Sequence, residues 1–491
     1  MSGGPAASLP TSVEELRALV GELLEANAGL REVIATKDHQ IASQERRIVE
    51  LERRLGADSS TSSRPPSSDS PYRKPARRSS RKSSGRRPGK QPGDSGTTMP
   101  LVDNPDETIT CDPGCCGGCG ASLAGAVVLG VQRRQVIEVS PPPPPRVTEY
   151  RIVTRACPAC GATASAPTPG CPPARVQYGS TVLARAAELL CAHYLPVARA
   201  TRLMRSMTGV PVSVGFMASV RARAARMLEQ TFLPQVRQLL RQAGVLHVDE
   251  TPARAAGGLH YVHVAATNYL TALHTGGRSK ADIDAGDVLP GYAGTIVRDG
   301  YAGYAHLIDA HHAWCGAHLL RDLRAIHDAD PHAQIWAAAM ATTLTEATTA
   351  THAARAAGKP ALDPHTLATI RNHYRGALAK ALTDNSARAG PLAHDALTLA
   401  QRFRDHEEII LRFVADLTVP FTNNQAERDV RPVKIQQRTS GGAWRTLTGL
   451  ADFAIVQSYL STATKWGLDT LDVLTQLFTG QPWLPPAPEP C

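Results

Sequence analysis

Gly-Val-Leu-His-Val-Asp-Glu-Thr at 244–251 carries an apolar run straight into a carboxylate, and Gly-Thr-Ile-Val-Arg-Asp-Gly-Tyr at 294–301 repeats the pattern. Val and Ile are stiff at χ1 and favour the extended chain, so 245–248 and 295–297 read as short strands ending at Asp249 and Asp299. A third stretch, Thr-Asn-Asn-Gln-Ala-Glu-Arg-Asp at 422–429, reads as the opening of a helix and carries Glu427. Acids on two strand ends and a helix can hold a pair of Mg²⁺ ions about 4 Å apart, the apparatus of phosphodiester cutting and joining. In such a set Asp249 is the residue expected to bridge both ions, with Asp299 and Glu427 each favouring one.

Each acid also has a plain structural reading. Asp249 could cap a strand end, and Asp299-Gly300 is a strong turn dipeptide. Asn424-x-x-Glu427 has the form of a capping box. Order and element type favour the joint reading, because three unrelated accidents would have to fall in the right places.

Outward from these stretches, 259–266 and 269–274 are further β-type runs, and helices follow from 312 to 327. From 333 to about 415 the chain is Ala-rich and helical. The expected arrangement is an α/β core over 241–330 and 418–465, a helical insertion over 331–417, and a C-terminal segment over 466–491. Trp314 and Trp444 are expected in the core. Cys315 and His318 lie one helical turn apart, but with no second pair in sight they read as packing or substrate contacts.

Residues 13–56 carry heptads. Val20, Asn27, Ile34, Ile41, Ile48 and Leu55 form the a series, and Leu16, Leu23, Leu30, Lys37, Gln44 and Leu51 the d series. β-Branched a and Leu d positions favour a parallel homodimeric coiled coil, and a lone Asn such as Asn27 fixes register. Residues 57–108 form a linker whose Ser, Pro and Gly content cannot offset chain entropy. Within it Arg73, Lys74, Arg77, Arg78, Arg81, Lys82, Arg86, Arg87 and Lys90 are uninterrupted by acid, an arrangement suited to sequence-independent phosphate contact.

Seven of the ten cysteines fall in 111–171. Cys116-x-x-Cys119 and Cys157-x-x-Cys160 are each followed by Gly, and together would ligate Zn²⁺ in a domain over 109–175. Strands are expected at 127–139 and 147–154, on either side of the Pro141–Pro145 run. Helices at 187–194, 198–208 and 213–228 make 178–240 a helical segment that could place a helix in a DNA groove.

The chain has 491 residues and a formal net charge of +9. That length calls for several units, and a concentrated basic surplus points to a polyanion partner. No signal segment or long apolar span is evident, so a cytoplasmic, nucleoid-associated protein is expected. In that setting cysteines favour metal ligation over disulfides.

The motifs His-Val-Asp-Glu-Thr (247–251), Arg-Asp-Gly-Tyr-Ala-Gly-Tyr (298–304), Cys-x-x-His-Leu-x-Arg-Asp (315–322) and Asn-Asn-Gln-Ala-Glu-Arg-Asp-Val-Arg-Pro (423–432) resemble those of the IS66 insertion-sequence transposases. The likeness extends to the Ser-Ser-x-Pro-Pro-Ser-Ser-Asp linker at 62–69 and covers most of the chain. It implies a multidomain protein: an N-terminal α coiled coil, a small zinc-knuckle domain, a helical DNA-binding segment, and an α/β RNase H-like catalytic core with a helical insertion. Asp249, Asp299 and Glu427 would be its Asp-Asp-Glu triad, and accessory proteins of the element would be partners. Arg428, Arg431 and Lys434 beside the third acid would contact DNA. One departure lies at 435–444, Ile-Gln-Gln-Arg-Thr-Ser-Gly-Gly-Ala-Trp, where family members carry an Arg-Lys-Asn stretch. The competing readings are a stand-alone nuclease and a catalytically silent DNA-binding regulator. A coiled coil that could pair two double-stranded DNA ends favours the transposase, and three intact acids weigh against the regulator.

Overall fold

The computed structural model describes residues 12–56, 93, 99–167 and 175–486. The chain divides into two compact units. One comprises Met1–Ala76, Pro172–Arg202 and Val212–Cys491, and the other Arg77–Cys171 and Leu203–Pro211.

Helix α1 (Val13–Gly56) is one uninterrupted helix of 44 residues, coextensive with the heptad segment. Its start is fixed by reciprocal hydrogen bonds: Glu15 N–H donates to Ser12 Oγ and Ser12 N–H to the Glu15 carboxylate, each at 3.2 Å. Leu16, Val20, Leu23, Leu30, Ile34, Ile41, Ile48 and Leu51 are all exposed. The basic run from Arg73 to Lys90 lies outside the described residues, as does Cys171.

Among the described residues 99–167 of the cysteine-rich unit the strands are one small antiparallel pair, β1 (Thr154–Ala156) and β2 (Thr163–Ser165), with Arg155 opposite Ala164. The strands expected at 127–139 and 147–154 do not form; Thr154 alone of those residues enters a ladder. Val127, Leu129, Val131, Val136 and Val147 are exposed instead. An apolar run becomes a strand only where a neighbour completes its hydrogen bonds, and prolines at 141–145 offer no N–H for that purpose.

In the other unit α2 (Ser180–Ala187) passes into a π-turn at Glu188–Ala192. Then come α3 (Val197–Thr208), whose residues from Leu203 onward are grouped with the cysteine-rich unit, α4 (Val214–Gln230) and α5 (Phe232–Arg241). The first helix therefore lies earlier than the expected 187–194. Its Leu183, Ala184, Ala186 and Ala187 are buried, a short-side-chain face that lets neighbouring helices approach closely.

The sheet comprises β3 (Val245–Ala255), β4 (Gly258–Ala266), β5 (Thr271–Gly276), β6 (Thr295–Arg298) and β7 (His311–Trp314), with α6 (Lys280–Asp284) between β5 and β6. The spatial order is β5-β4-β3-β6-β7. The β3–β4 and β4–β5 pairs are antiparallel, and the β3–β6 and β6–β7 pairs parallel. Two expectations are corrected here. β3 does not stop at Asp249 but continues to Ala255, because β4 pairs with it from His247 to Ala255. His311–Trp314 is a strand rather than the first turn of a helix, since β6 offers it a parallel partner.

Beyond the sheet run α7 (Gly316–Ala329), α8 (Ile335–Ala356), α9 (Pro364–Ser386), α10 (Pro391–Asp405) and two single turns, α11 (Glu407–Ile410) and α12 (Arg412–Ala415). Of these, α8 to α12 fall within 331–417. α13 (Asn424–Thr439), α14 (Leu447–Lys465) and α15 (Thr470–Phe478) close the chain. The central strands are buried on both faces, and adjacent residues go to different cores. Ile296 joins Leu246, Val248 and residues of α2, α4, α5, α14 and α15. Val297 joins Ala313, Trp314 and residues of α7 to α10. Trp314 and Trp444 are buried, as expected. Among the described residues no helix is long and apolar enough to cross a membrane.

Candidate active site

The register of the parallel pair decides where the first two acids lie. His247 pairs with Val297, so Asp249 and Asp299 are each two residues beyond a matched pair. Side chains alternate along strands, so both acids share the face of His247 and Val297. Neighbouring strands are about 4.8 Å apart, which brings the two carboxylates level on adjacent chains. Asp299 stands just past the end of β6 and accepts the Tyr301 N–H at 2.9 Å. The turn reading of Asp299 is thus realised locally, with one carboxylate oxygen left over.

Glu427 lies in the first turn of α13, which packs against β3 and β4. The capping-box reading fails: Asn423 is the N-cap residue and makes no side-chain cap bond. Its side chain is used across the sheet instead. Asn423 Nδ2 donates to the Val248 carbonyl at 2.7 Å. His247 Nδ1 donates to Asn423 Oδ1 at 3.0 Å. The Asn423 N–H donates to Cys315 Sγ at 3.2 Å. One buried amide therefore ties the helix carrying Glu427 to the strand carrying Asp249 and to the end of β7. The Cys315 N–H in turn donates to Arg298 O at 2.8 Å, beside Asp299.

Glu250 points to the opposite face and is fully engaged. Arg278 Nε and Nη2 donate to its Oε1 at 3.0 and 2.6 Å, and Tyr304 Oη to its Oε2 at 2.8 Å. The Arg278 guanidinium also lies 3.8 Å from the Tyr301 ring centroid. Asp249, by contrast, accepts only the Glu250 N–H, at 2.9 Å, among the hydrogen bonds of the described residues, while Tyr301 and Tyr304 of the 298–304 motif hold Arg278 and Glu250. Arg298 donates to the carbonyls of Asp299 and Tyr301 at 2.9 and 2.8 Å, fixing that turn.

Burial, and then the neighbouring Asp299, Glu250 and Glu427, push the Asp249 carboxyl well above the usual carboxylate range. A carboxyl raised in this way by neighbouring acids calls for a cation, and an all-carboxylate donor set suits a hard ion such as Mg²⁺. All three acids keep part of their surface open. A tighter cluster stands beside them: one ligand atom each of Cys315, His318 and Glu427 lie within 4.8 Å of one another, the one such His/Cys/Asp/Glu group among the described residues. Burial lifts the Cys315 thiol, and burial followed by the Arg321 charge lowers the His318 imidazole. Arg321 approaches Glu427 at 3.8 Å.

The two cysteine knuckles share one backbone design. Cys116 N–H donates to Ala121 O and Gly120 N–H to Cys116 O; Cys157 N–H donates to Ala162 O and Gly161 N–H to Cys157 O. Gly120 and Gly161 take φ of +72° and +73°, which only Gly adopts at no cost. Backbone N–H groups of Gly118 and Cys119 lower the Cys116 thiol, and those of Ala159 and Cys160 lower Cys157. Each knuckle thiol is drawn toward the thiolate that Zn²⁺ needs, but among the described residues the two knuckles do not bring three ligand atoms together around one ion position.

Of the basic residues near Glu427, Arg428 and Arg431 are exposed. Lys434 is not free in the same way, because its ammonium donates to the Pro252 carbonyl. Burial, with Arg438 adding to it, takes its pKa down to about 8. The departing stretch 435–444 completes α13 and then joins the sheet margin, where Trp444 N–H donates to Arg254 O at 2.8 Å. Sequence reasoning missed Asn423, Arg278 and the pair Asp429–Lys465, whose 2.7 Å contact lies nearly out of solvent. The signal for Asn423 is the doubled Asn of the third motif, whose capping-box pattern singles out Asn424 instead.

Residues 175–451 match a family described as Transposase IS66 family, more than half of the 491-residue chain. Residues 4–100 match a family of unknown function, DUF6444. No curated protein matches the chain.

Proposed function

Because the chain belongs to the IS66 transposase family, and is therefore a DNA-processing enzyme, we propose that it joins element ends to target DNA through a DDE-type site made of Asp249, Asp299 and Glu427. The observation that carries this reading is the β3–β6 register, which sets two acids level on adjacent parallel strands, with Glu427 on the helix packed against β3. The strand order β5-β4-β3-β6-β7 supports an RNase H-like core.

In this proposal Asp249, Asp299 and Glu427 are the residues that would hold the two Mg²⁺ ions. When bound, the ions activate the attacking water or 3′-hydroxyl and stabilise the leaving oxygen. The protein's part is to hold the carboxylates in place. Asn423 and His247 fix the start of α13 against β3, Arg298 fixes the Asp299 turn, and Arg278 with Tyr304 keeps Glu250 out of the donor set.

DNA is held by parts around the core. Arg428 and Arg431 on α13 and the linker cations Arg73–Lys90 are proposed to contact phosphates. So are Arg199, Arg202 and Arg205, exposed at every third position of α3 in the helical segment over 178–240. Lys434 is proposed to brace α13 on β3 rather than to bind DNA. Zn²⁺ on Cys116, Cys119, Cys157 and Cys160 would staple the small domain, and α1 would pair two chains as a coiled coil.

Strand transfer with end-containing DNA and Mg²⁺ tests the reading. Asp249→Ala, Asp299→Ala and Glu427→Ala should each reduce joining to background while DNA binding survives. Joining at the wild-type rate in any one of them would remove that residue from the triad. Inverted repeats flanking the gene would supply the end DNA.

A further inference from the structure

The cluster of Cys315, His318 and Glu427 has a donor chemistry unlike that of the Asp-Asp-Glu set. A thiol and an imidazole are soft and borderline ligands, poor for Mg²⁺ and good for Zn²⁺ or Co²⁺. Three protein ligands and one open position are the usual composition of a reactive zinc centre.

The geometry is close to what such an ion needs. At metal–ligand lengths of about 2.0–2.3 Å, tetrahedral donors stand roughly 3.3–3.8 Å apart. The three donors here already lie within 4.8 Å, so small side-chain rotations close the set. His318 Nδ1 is out of solvent and has no hydrogen-bond partner, a costly state that a ligand would relieve. Cys315 is 1% exposed and is the N-cap residue of α7. Its sulfur receives the Asn423 N–H at 3.2 Å, which fixes the sulfur beside His318 and Glu427. Arg321, 3.8 Å from Glu427, is the competing cation and would swing aside.

We propose that Cys315, His318 and Glu427 form a second metal site, selective for a thiophilic divalent ion such as Zn²⁺, that takes Glu427 away from the Mg²⁺ pair. Binding breaks the Cys315 S–H bond, forms a sulfur–metal bond and releases the proton to solvent; no electron is transferred. Glu427 can serve one centre at a time. The thiophilic ion therefore holds the enzyme idle, and Mg²⁺ in excess returns Glu427 to the triad. Idling rests on the proposed triad, whereas ion binding does not.

The test uses the full chain without DNA and Co²⁺ as the probe, read by the thiolate-to-cobalt charge-transfer band and by ions bound per chain. Cys315→Ser, His318→Gln and Glu427→Gln should each bind about one Co²⁺ fewer than wild type, or bind it at least tenfold more weakly. Because Cys315 is buried, its variant is checked for folding by circular dichroism. The two partly exposed positions carry the result if it unfolds. Cys116→Ser should keep this site while losing a knuckle. Asp299→Ala should also keep it while losing strand transfer, which separates failure of the triad from failure of this site. Wild-type cobalt stoichiometry and affinity in folded His318→Gln and Glu427→Gln would overturn the proposal.

Discussion

Asp249 is held where burial and three neighbouring acids all oppose its ionisation. A carboxyl raised in the folded state contributes stability while protonated and loses it as pH rises through the raised value. Protein stripped of divalent ions should therefore become less stable as pH climbs from the ordinary carboxylate range through that value. Mg²⁺ should reverse the trend, because the ion replaces the proton. Asp249→Asn removes the charge at nearly constant shape. Its Tm without metal should exceed wild type by a few degrees, given that ~1 kcal/mol moves a domain of this size by about 2–4 °C. It should also lose the stabilisation by Mg²⁺ along with joining. Scanning calorimetry of both proteins across pH, with and without Mg²⁺, reads all of this; an Asp249→Asn variant less stable than wild type at neutral pH would show that the carboxylate is satisfied within the protein.

At the scale of elements, α13 is anchored at both ends of its first two turns, by Asn423 to β3 and by Asp429 to Lys465 of α14. The Lys465 ammonium also donates to Thr267 O, Leu270 O and Thr271 Oγ1, and Ser461 Oγ donates to Asp429 at 2.9 Å. Asp429→Ala leaves that ammonium buried without its counter-charge and should cost about 3–5 kcal/mol in denaturant unfolding, whereas the double variant Asp429→Leu, Lys465→Met should recover most of it. A single-variant loss below ~1 kcal/mol would mean that water or a neighbour takes over the pairing. Such anchors were hidden in the sequence because they join residues far apart in the chain. What was legible was local: the apolar runs at 245–248 and 295–297, the helical insertion and the start of α13. β3 was cut short because Pro252 and Arg254 break its apolar pattern, although β4 pairs past both. β7 was missed because four residues reading His-His-Ala-Trp show no period. Asp249, Asp299 and Glu427 could be named from short motifs, but the Cys315–His318–Glu427 cluster could not, since its third member lies beyond the whole helical insertion.

For the molecule as a whole, α1 poses the question of what covers it. None of its described side chains belongs to either apolar core, yet both heptad series expose large apolar side chains, Ile34 at 57% and Leu30 at 61%. A continuous apolar seam on a long helix is stable in water when a second helix buries it. Burying one Ile fully is worth roughly 1.5–3 kcal/mol per chain, and a dimer gains it twice at each layer. A charge placed in the middle of the seam forfeits that gain and adds the cost of desolvating a carboxylate. Ile34→Asp should therefore give monomers in sedimentation at micromolar concentration where wild type sediments as a dimer. An exposed-face control, Glu32→Ala, should leave the dimer intact. In the proposed reaction two element ends are joined at one target by two paired chains, so Ile34→Asp should lose paired-end joining more than single-end cleavage. If it sediments as the wild type does, the chains associate through another surface and α1 has a different partner.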